Sequence, residues 1–429
     1  MLKTCGVLFF ACAFAACGGS PAGTVDATDQ SADSRGTDAG LVDASAQPDA
    51  NTTCAATEAC DGVFDDNCDG RVDEGCGRCP LMTVTCPQGC CAVDRWQVSQ
   101  LSSDGTAIAV DDNGDVYVMF TNPNAGVWGA YLAKYTALTG VWSTKSMGAG
   151  SYRNRIAIDS AHAIHVISGA TQASLVYQKS TDGGTTFTAP VTLGPLAIGG
   201  TFDLAIDSQR RPHVIYLEQR SLRTALVYSH FDGAQWVKET MLAETYDSAP
   251  AIALGFQDRP YIVVDDYVSG QPAHKRIWFH NGNRWIDETP DTVPNQQTTY
   301  GGNDYFSSHQ LRVNPDGSVQ LFFTRKNGNV ETFFVANRDS ADNAPWVSTP
   351  ITGTTGVTTP IVFADQLGKL GAIGDGLAVH RAQTATAWTS AASPLKGNNA
   401  AVARRGRYLY VGYIDDQNHP TLTTVDLGM

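Results

Sequence analysis

Charged side chains are scarce: only 17% of the 429 residues are Asp, Glu, Lys or Arg. That excludes a coiled coil or helical bundle, whose exposed faces need many more. Past residue 16 no stretch approaches eighteen consecutive apolar residues, so no later segment reads as a membrane-spanning helix. A basic face is also missing. The formal net charge is −14; residues 18–95 hold 14 acidic against 4 basic residues, and residues 96–429 hold 29 against 24. Nucleic acid is therefore not an expected partner. No nucleophile elbow, phosphate loop or His-Glu-x-x-His motif occurs. What is abundant is glycine, at 42 residues, with 19 prolines and 42% hydrophobic content. This composition is ample for a large core broken by many turns.

Met1-Leu2-Lys3 carries one positive charge, and Thr4 to Ala16 is small or apolar throughout. A charged start followed by a short apolar run has the form of a secretory signal. It ends in Phe14-Ala15-Ala16-Cys17-Gly18. This resembles the lipobox of bacterial lipoproteins, with Phe14 where that family usually has Leu. The resemblance implies a signal peptide at 1–16 and lipidation of Cys17. It implies a membrane partner through a lipid anchor, in the bacterial outer membrane or at the cell surface. Residues 17–53 are dominated by Ala, Ser, Thr, Gly and Asp and contain no aromatic. Such a segment cannot bury enough apolar surface to fold, and reads as a disordered acidic tether.

Eight cysteines, Cys54, Cys60, Cys68, Cys76, Cys79, Cys86, Cys90 and Cys91, fall within 38 residues, and none follows in the remaining 338. An even cluster in an exported chain implies disulfides, which makes 54–93 a small disulfide-rich segment of open connectivity. The Cys76-x-x-Cys79 spacing also suits zinc, although the segment contains no histidine. Within the cluster, Asp65, Asn67 and Asp69 alternate, Gly70 follows, and Asp73 falls at loop position nine. Oxygen ligands at positions one, three and five followed by glycine form the first half of an EF-hand-like loop. Cys76 stands where the twelfth-position Glu belongs, and Glu74 is the available substitute. Asp65, Asn67, Asp69, Asp73 and Glu74 are thus candidate ligands for Ca2+. The same stretch resembles the Cys/Asp-rich metal-binding motif of secreted bacterial proteins.

One phrase recurs from residue 108 onward: an apolar strand, a polar turn, then a second apolar strand. Its copies start at Ile108, Ile156, Leu204, Ile252, Leu311, Val362 and Val402, with spacings of 48, 48, 48, 59, 51 and 40. An aromatic after a polar turn follows six of them: Trp142, Phe187, Trp236, Trp285, Trp346 and Trp388. Seven units of this size predict an all-β, seven-bladed β-propeller over 94–429. The last unit has room for three strands, and residues 94–101 around Trp96 are expected to donate its fourth and close the ring. Ser180-Thr-Asp182-Gly-Gly184-Thr-Thr-Phe187 matches the Asp-box (BNR repeat) of sialidase-like propellers. That resemblance implies the fold and places this turn on the face away from those proteins' active site.

Loops between second and third strands share one face with the connections between blades. The second strands end near Glu218, Asp265, Asp266, Arg325, Asp375, Asp415 and Asp416. An inter-blade loop from Asp291 to His309 would add Tyr300, Asn303, Asp304 and Tyr305 to the same rim. Aromatics beside amides and carboxylates suit a polyhydroxylated ligand. The leading expectation is a monomeric, non-catalytic, surface-tethered binding protein for glycan or another surface macromolecule. Its rival is a glycoside hydrolase of sialidase-like type. Arg153, Arg155 and Arg312 are available for an arginine cluster, but Arg155-Ile156-Ala157 departs from that family's Arg-Ile-Pro. His165 and His213, at equivalent places in second strands, are expected to bond between blades, and Asp111, Asp159 and Asp207 to shape turns.

Overall fold

The structure is a computed structural model that describes the strands Val84–Cys86 and Gly89–Cys91 and, apart from loop segments, residues 107–426. Cys17, the tether, the acidic loop at 65–74 and the expected closing strand at 94–101 lie outside the described residues.

The alternation of apolar and polar residues in each repeat becomes a meander of antiparallel strands, because period-two patterns bury one face of a pleated ribbon. Six such meanders are four-stranded sheets, at 107–149, 154–195, 202–245, 251–293, 305–350 and 361–391. A three-stranded sheet follows, made of Gly397–Arg405, Tyr408–Asp415 and Pro420–Asp426. The fold is an all-β propeller. Where seven complete units are expected, the described residues give six four-stranded blades, because the last sheet finds no fourth strand among them. Val84–Cys86 comes close to Pro420–Asp426 but pairs only with Gly89–Cys91.

First strands of successive blades lie side by side and line the centre, and Gly397–Arg405 lies beside Ala107–Val110 of the first blade. The core is therefore divided into layers between blades. Between the second and third blades it contains Ile167, Leu175, Phe202, Val214 and Val227; between the fourth and fifth, Val263, Ile277, Phe279, Leu321 and Phe323. Leu422 joins Ile108, Val116 and Phe120 where the last sheet meets the first blade. Each such side chain, taken from water, contributes roughly 1.5–3 kcal/mol.

Polar links reinforce the layers. Near the centre, Arg155 Nε of the second blade donates to Asp203 Oδ1 of the third at 3.0 Å, and Asp203 Oδ2 accepts from the Ile252 amide of the fourth at 3.0 Å. Gln310 of the fifth blade brackets Val362 of the sixth through the backbone N–H and C=O. On the outer strands, the residue three after a marker aromatic reaches the marker of the next blade. Glu239 accepts from Trp285 Nε1 at 2.7 Å, Glu288 accepts from Trp346 Nε1 at 2.6 Å, and Lys145 sits 5.9 Å from the Phe187 ring.

Candidate functional site

The turns between first and second strands repeat one design. Asp111, Asp159 and Asp207 each accept through Oδ1 from the backbone amide four residues on, at 3.0, 2.9 and 2.7 Å, which fixes the loop as the sequence suggests. His165 and His213 do not link blades. Each spans its own blade: His165 joins Asp159 (3.0 Å) to the Tyr177 hydroxyl (2.8 Å), and His213 joins Asp207 (3.4 Å) to the Tyr228 hydroxyl (2.6 Å). The reason is register. Each histidine lies at the start of its second strand, across from the end of the third, where the tyrosine two positions away on that strand comes within reach. A carboxylate can only accept, so Nε2–H donates to Asp and the tyrosine hydroxyl donates to Nδ1. Burial pushes both imidazoles below their ordinary pKa and keeps them neutral. Burial works against ionisation of Asp159 too, but His165 and two backbone amides outweigh it and bring its pKa to about 2.

On the opposite face, the predicted rim carboxylates are already occupied. Glu218 pairs with Lys238 at 2.8 Å and Arg220 at 3.1 Å. Although burial opposes ionisation, those cations hold its carboxyl below the usual range. Asp265 pairs with the fully buried Lys275, and Asp266 with Arg276 at 2.6 Å. Arg325 lies 3.6 Å from Asp291 and over the Phe334 ring. The rim positions are thus brought together in one face, but their described charges are neutralised within it. Asp291 and Tyr305 belong to strands, Trp285–Val293 and Tyr305–Val313, and not to a long loop; the aromatic start of the latter pairs with Lys326 and Arg325 across the sheet. Asp415 ends its strand opposite Gly397. Tyr300, Asn303, Asp304, Asp375 and Asp416 lie outside the described residues. Arg155 is committed to Asp203 in the wall between blades, which takes it out of an arginine cluster.

The more open chemistry is on the turn face, where sequence reasoning placed no site. A cleft of about 660 Å³ opens between the second and third blades. Tyr177, Phe231 and Trp236 form its aromatic wall, with Tyr177 and Trp236 edge to face at 5.1 Å. Lys179, Arg210 and Arg211 stand around it. The available signal was the Arg210-Arg211 doublet inside a repeat turn whose first-blade counterpart is Gly114-Asp115. Among the described residues, no group of three His, Cys, Asp or Glu side chains is placed to hold a metal ion, and no helix is long and apolar enough to cross a membrane.

No protein-family profile and no curated protein sequence matches this chain. Solved structures do. The polysaccharide lyase Uly1 superposes with a TM-score of 0.51 at 11% identity, over 79% of this chain and 93% of its own. The likeness is one of fold. A lectin of Aleuria aurantia in complex with Fucalpha1-6GlcNAc gives a TM-score of 0.42 at 10% identity, over 69% of this chain and 97% of its own. The SapL1 lectin with alpha methyl fucoside gives 0.44 at 12%, over 69% and 98%.

Proposed function

We propose that this protein is a surface-tethered, non-catalytic, glycan-binding β-propeller. The observation that carries the reading is the cleft between the second and third blades. An aromatic wall of Tyr177, Phe231 and Trp236, edged by Thr188, Gln209 and three basic side chains, combines stacking surface with hydrogen-bond donors. That combination suits a pyranose, which is apolar on its ring faces and polar around its edge. The charged groups described on the rim face are turned onto one another, which leaves them little to offer a ligand.

The remaining parts of the proposal come from sequence. Cys17 carries the lipid, residues 17–53 hold the propeller away from the membrane, and Asp65, Asn67, Asp69, Asp73 and Glu74 bind Ca2+ beside the disulfides. Residues 94–101 complete the three-stranded last sheet as a seventh blade; the lack of a fourth strand in that sheet among the described residues supports this.

The test is a glycan array probed with the full-length mature protein, alongside a turnover assay on every glycan that binds. The expected result is retention of a defined subset of glycans with no new reducing ends or unsaturated products. Absence of any glycan binding overturns the reading, and turnover of a bound glycan replaces it with an enzyme.

A further inference from the structure

Five turns between first and second strands are closed by the same pair of hydrogen bonds, from the fourth residue back to the first and from the first to the fifth. Their fourth position is left-handed in each case: Gly114 at φ 84, His162 at φ 61, Arg210 at φ 65, Asp258 at φ 58 and Gly317 at φ 85. Glycine suits this conformation and a long side chain does not. Two blades use glycine; the third places Arg210 there, at the edge of the cleft.

The charges around that cleft are unequal in what they can offer. Lys179 is 3.4 Å from the buried Asp159. Arg211 uses Nε on the buried Asp207 at 2.5 Å, and its terminal nitrogens make no other hydrogen bond among the described residues. Asp232, the one acidic group of the lining, folds back to accept from the amides of Ala234 and Gln235, both at 2.8 Å. Arg210 is exposed and has no carboxylate partner among the described residues. The lining therefore sets three cations against one exposed carboxylate, Asp232, whose Oδ1 is taken up by the amides of its own turn. A fork of N–H donors beside an aromatic wall matches a planar or tetrahedral anion carried on a sugar ring.

We infer that the cleft takes an acidic saccharide, with Arg210 binding a carboxylate or sulfate group while Trp236 and Phe231 face the sugar. This rests on the glycan-binding reading above and adds the charge of the ligand. The experiment compares wild type with Arg210→Gly and Arg210→Lys on an array holding neutral, uronate-containing and sulfated glycans. Melting temperatures are recorded for all three proteins. Wild type is expected to select acidic members, with affinity falling as salt rises from 20 to 150 mM, on the order of the screening length at work. Arg210→Gly should lose about tenfold on those members. It should melt no earlier than wild type, because glycine relieves the left-handed position. Arg210→Lys should fall between, keeping charge without the fork. Methyl esterification or desulfation of the best acidic member then shows which anion is read. Selection of neutral members with Arg210→Gly unchanged overturns the inference and leaves the glycan-binding reading standing. Binding of no glycan at all overturns both.

Discussion

On the rim face, three carboxylates at second-strand ends close onto cations of their own blade: Glu218 onto Lys238 and Arg220, Asp265 onto Lys275, Asp266 onto Arg276. On the turn face, Asp159 and Asp207 are likewise buried and paired, with Lys179 and Arg211, but Arg210 stands beyond them without a carboxylate partner among the described residues. Both faces are rich in ionisable residues, yet among the described residues it is on the turn face that a cation, Arg210, has no carboxylate partner. Composition at a strand end is therefore a poor guide to a binding surface. The partners decide whether a charge is available, and Lys275 and Arg276 on a third strand and Lys238 on a fourth lie a hairpin or more away in sequence.

If the rim charges are structural, removing one should be severe. Asp265→Ala leaves Lys275, which has no exposed side-chain surface, without its nearest counter-ion, and the expected loss is about 3–5 kcal/mol by urea denaturation at pH 7. Burial already pushes the Lys275 ammonium down, against Asp265 and Asp291. The variant should therefore regain stability as pH rises and that lysine becomes neutral. A loss under about 1 kcal/mol would mean that the pair is exposed in solution, and the contrast between faces would collapse.

Acid should unfold the turn face in two stages. His165 and His213 are held below their ordinary pKa by burial, so the unfolded chain binds protons that the folded chain refuses, and stability falls as pH drops through 6.5. Asp159, lowered from 3.8 to about 2, adds roughly 2 kcal/mol that persists above pH 4 and disappears as pH approaches 2. Urea midpoints measured from pH 7.5 to 2.5 should show both declines. A midpoint that is flat between pH 7.5 and 5 would remove the histidine bridges from the account.

The smallest effect belongs to the outer edge. Glu239→Gln replaces a charged acceptor of Trp285 Nε1 with a neutral one, and about 1 kcal/mol of stability should go with it. An unchanged melting temperature would show that the link between marker aromatics is incidental to blade packing.

The repeat of Ile108, Ile156, Leu204 and Ile252 at constant spacing made the meander legible, because an apolar first strand and its turn aspartate are local features. Their partners were not. That His165 would bond Tyr177 rather than the next blade depended on the offset between second and third strands, which residue types alone do not specify. The first half of the strand Tyr305–Val313, up to His309, read as loop because Ser307, Ser308 and His309 interrupt its alternation, and a register shift between Ser307 and His309 absorbs the irregularity. The cleft escaped notice for another reason. Its wall joins Tyr177 and Trp236, 59 residues apart in adjacent blades, and its rim contains Arg210 in a turn that reads as a connector.

The central claim is that ligand sits on the turn face. Hydrogen–deuterium exchange on the full-length protein, with and without the tightest acidic glycan from the array, tests it most directly. The account predicts slower exchange at the amides of 207–212 and 231–236, with the second-strand ends near Glu218 and Asp266 unchanged. Protection at those strand ends and across 291–309, with 207–212 exchanging as before, would place the ligand on the rim and contradict it.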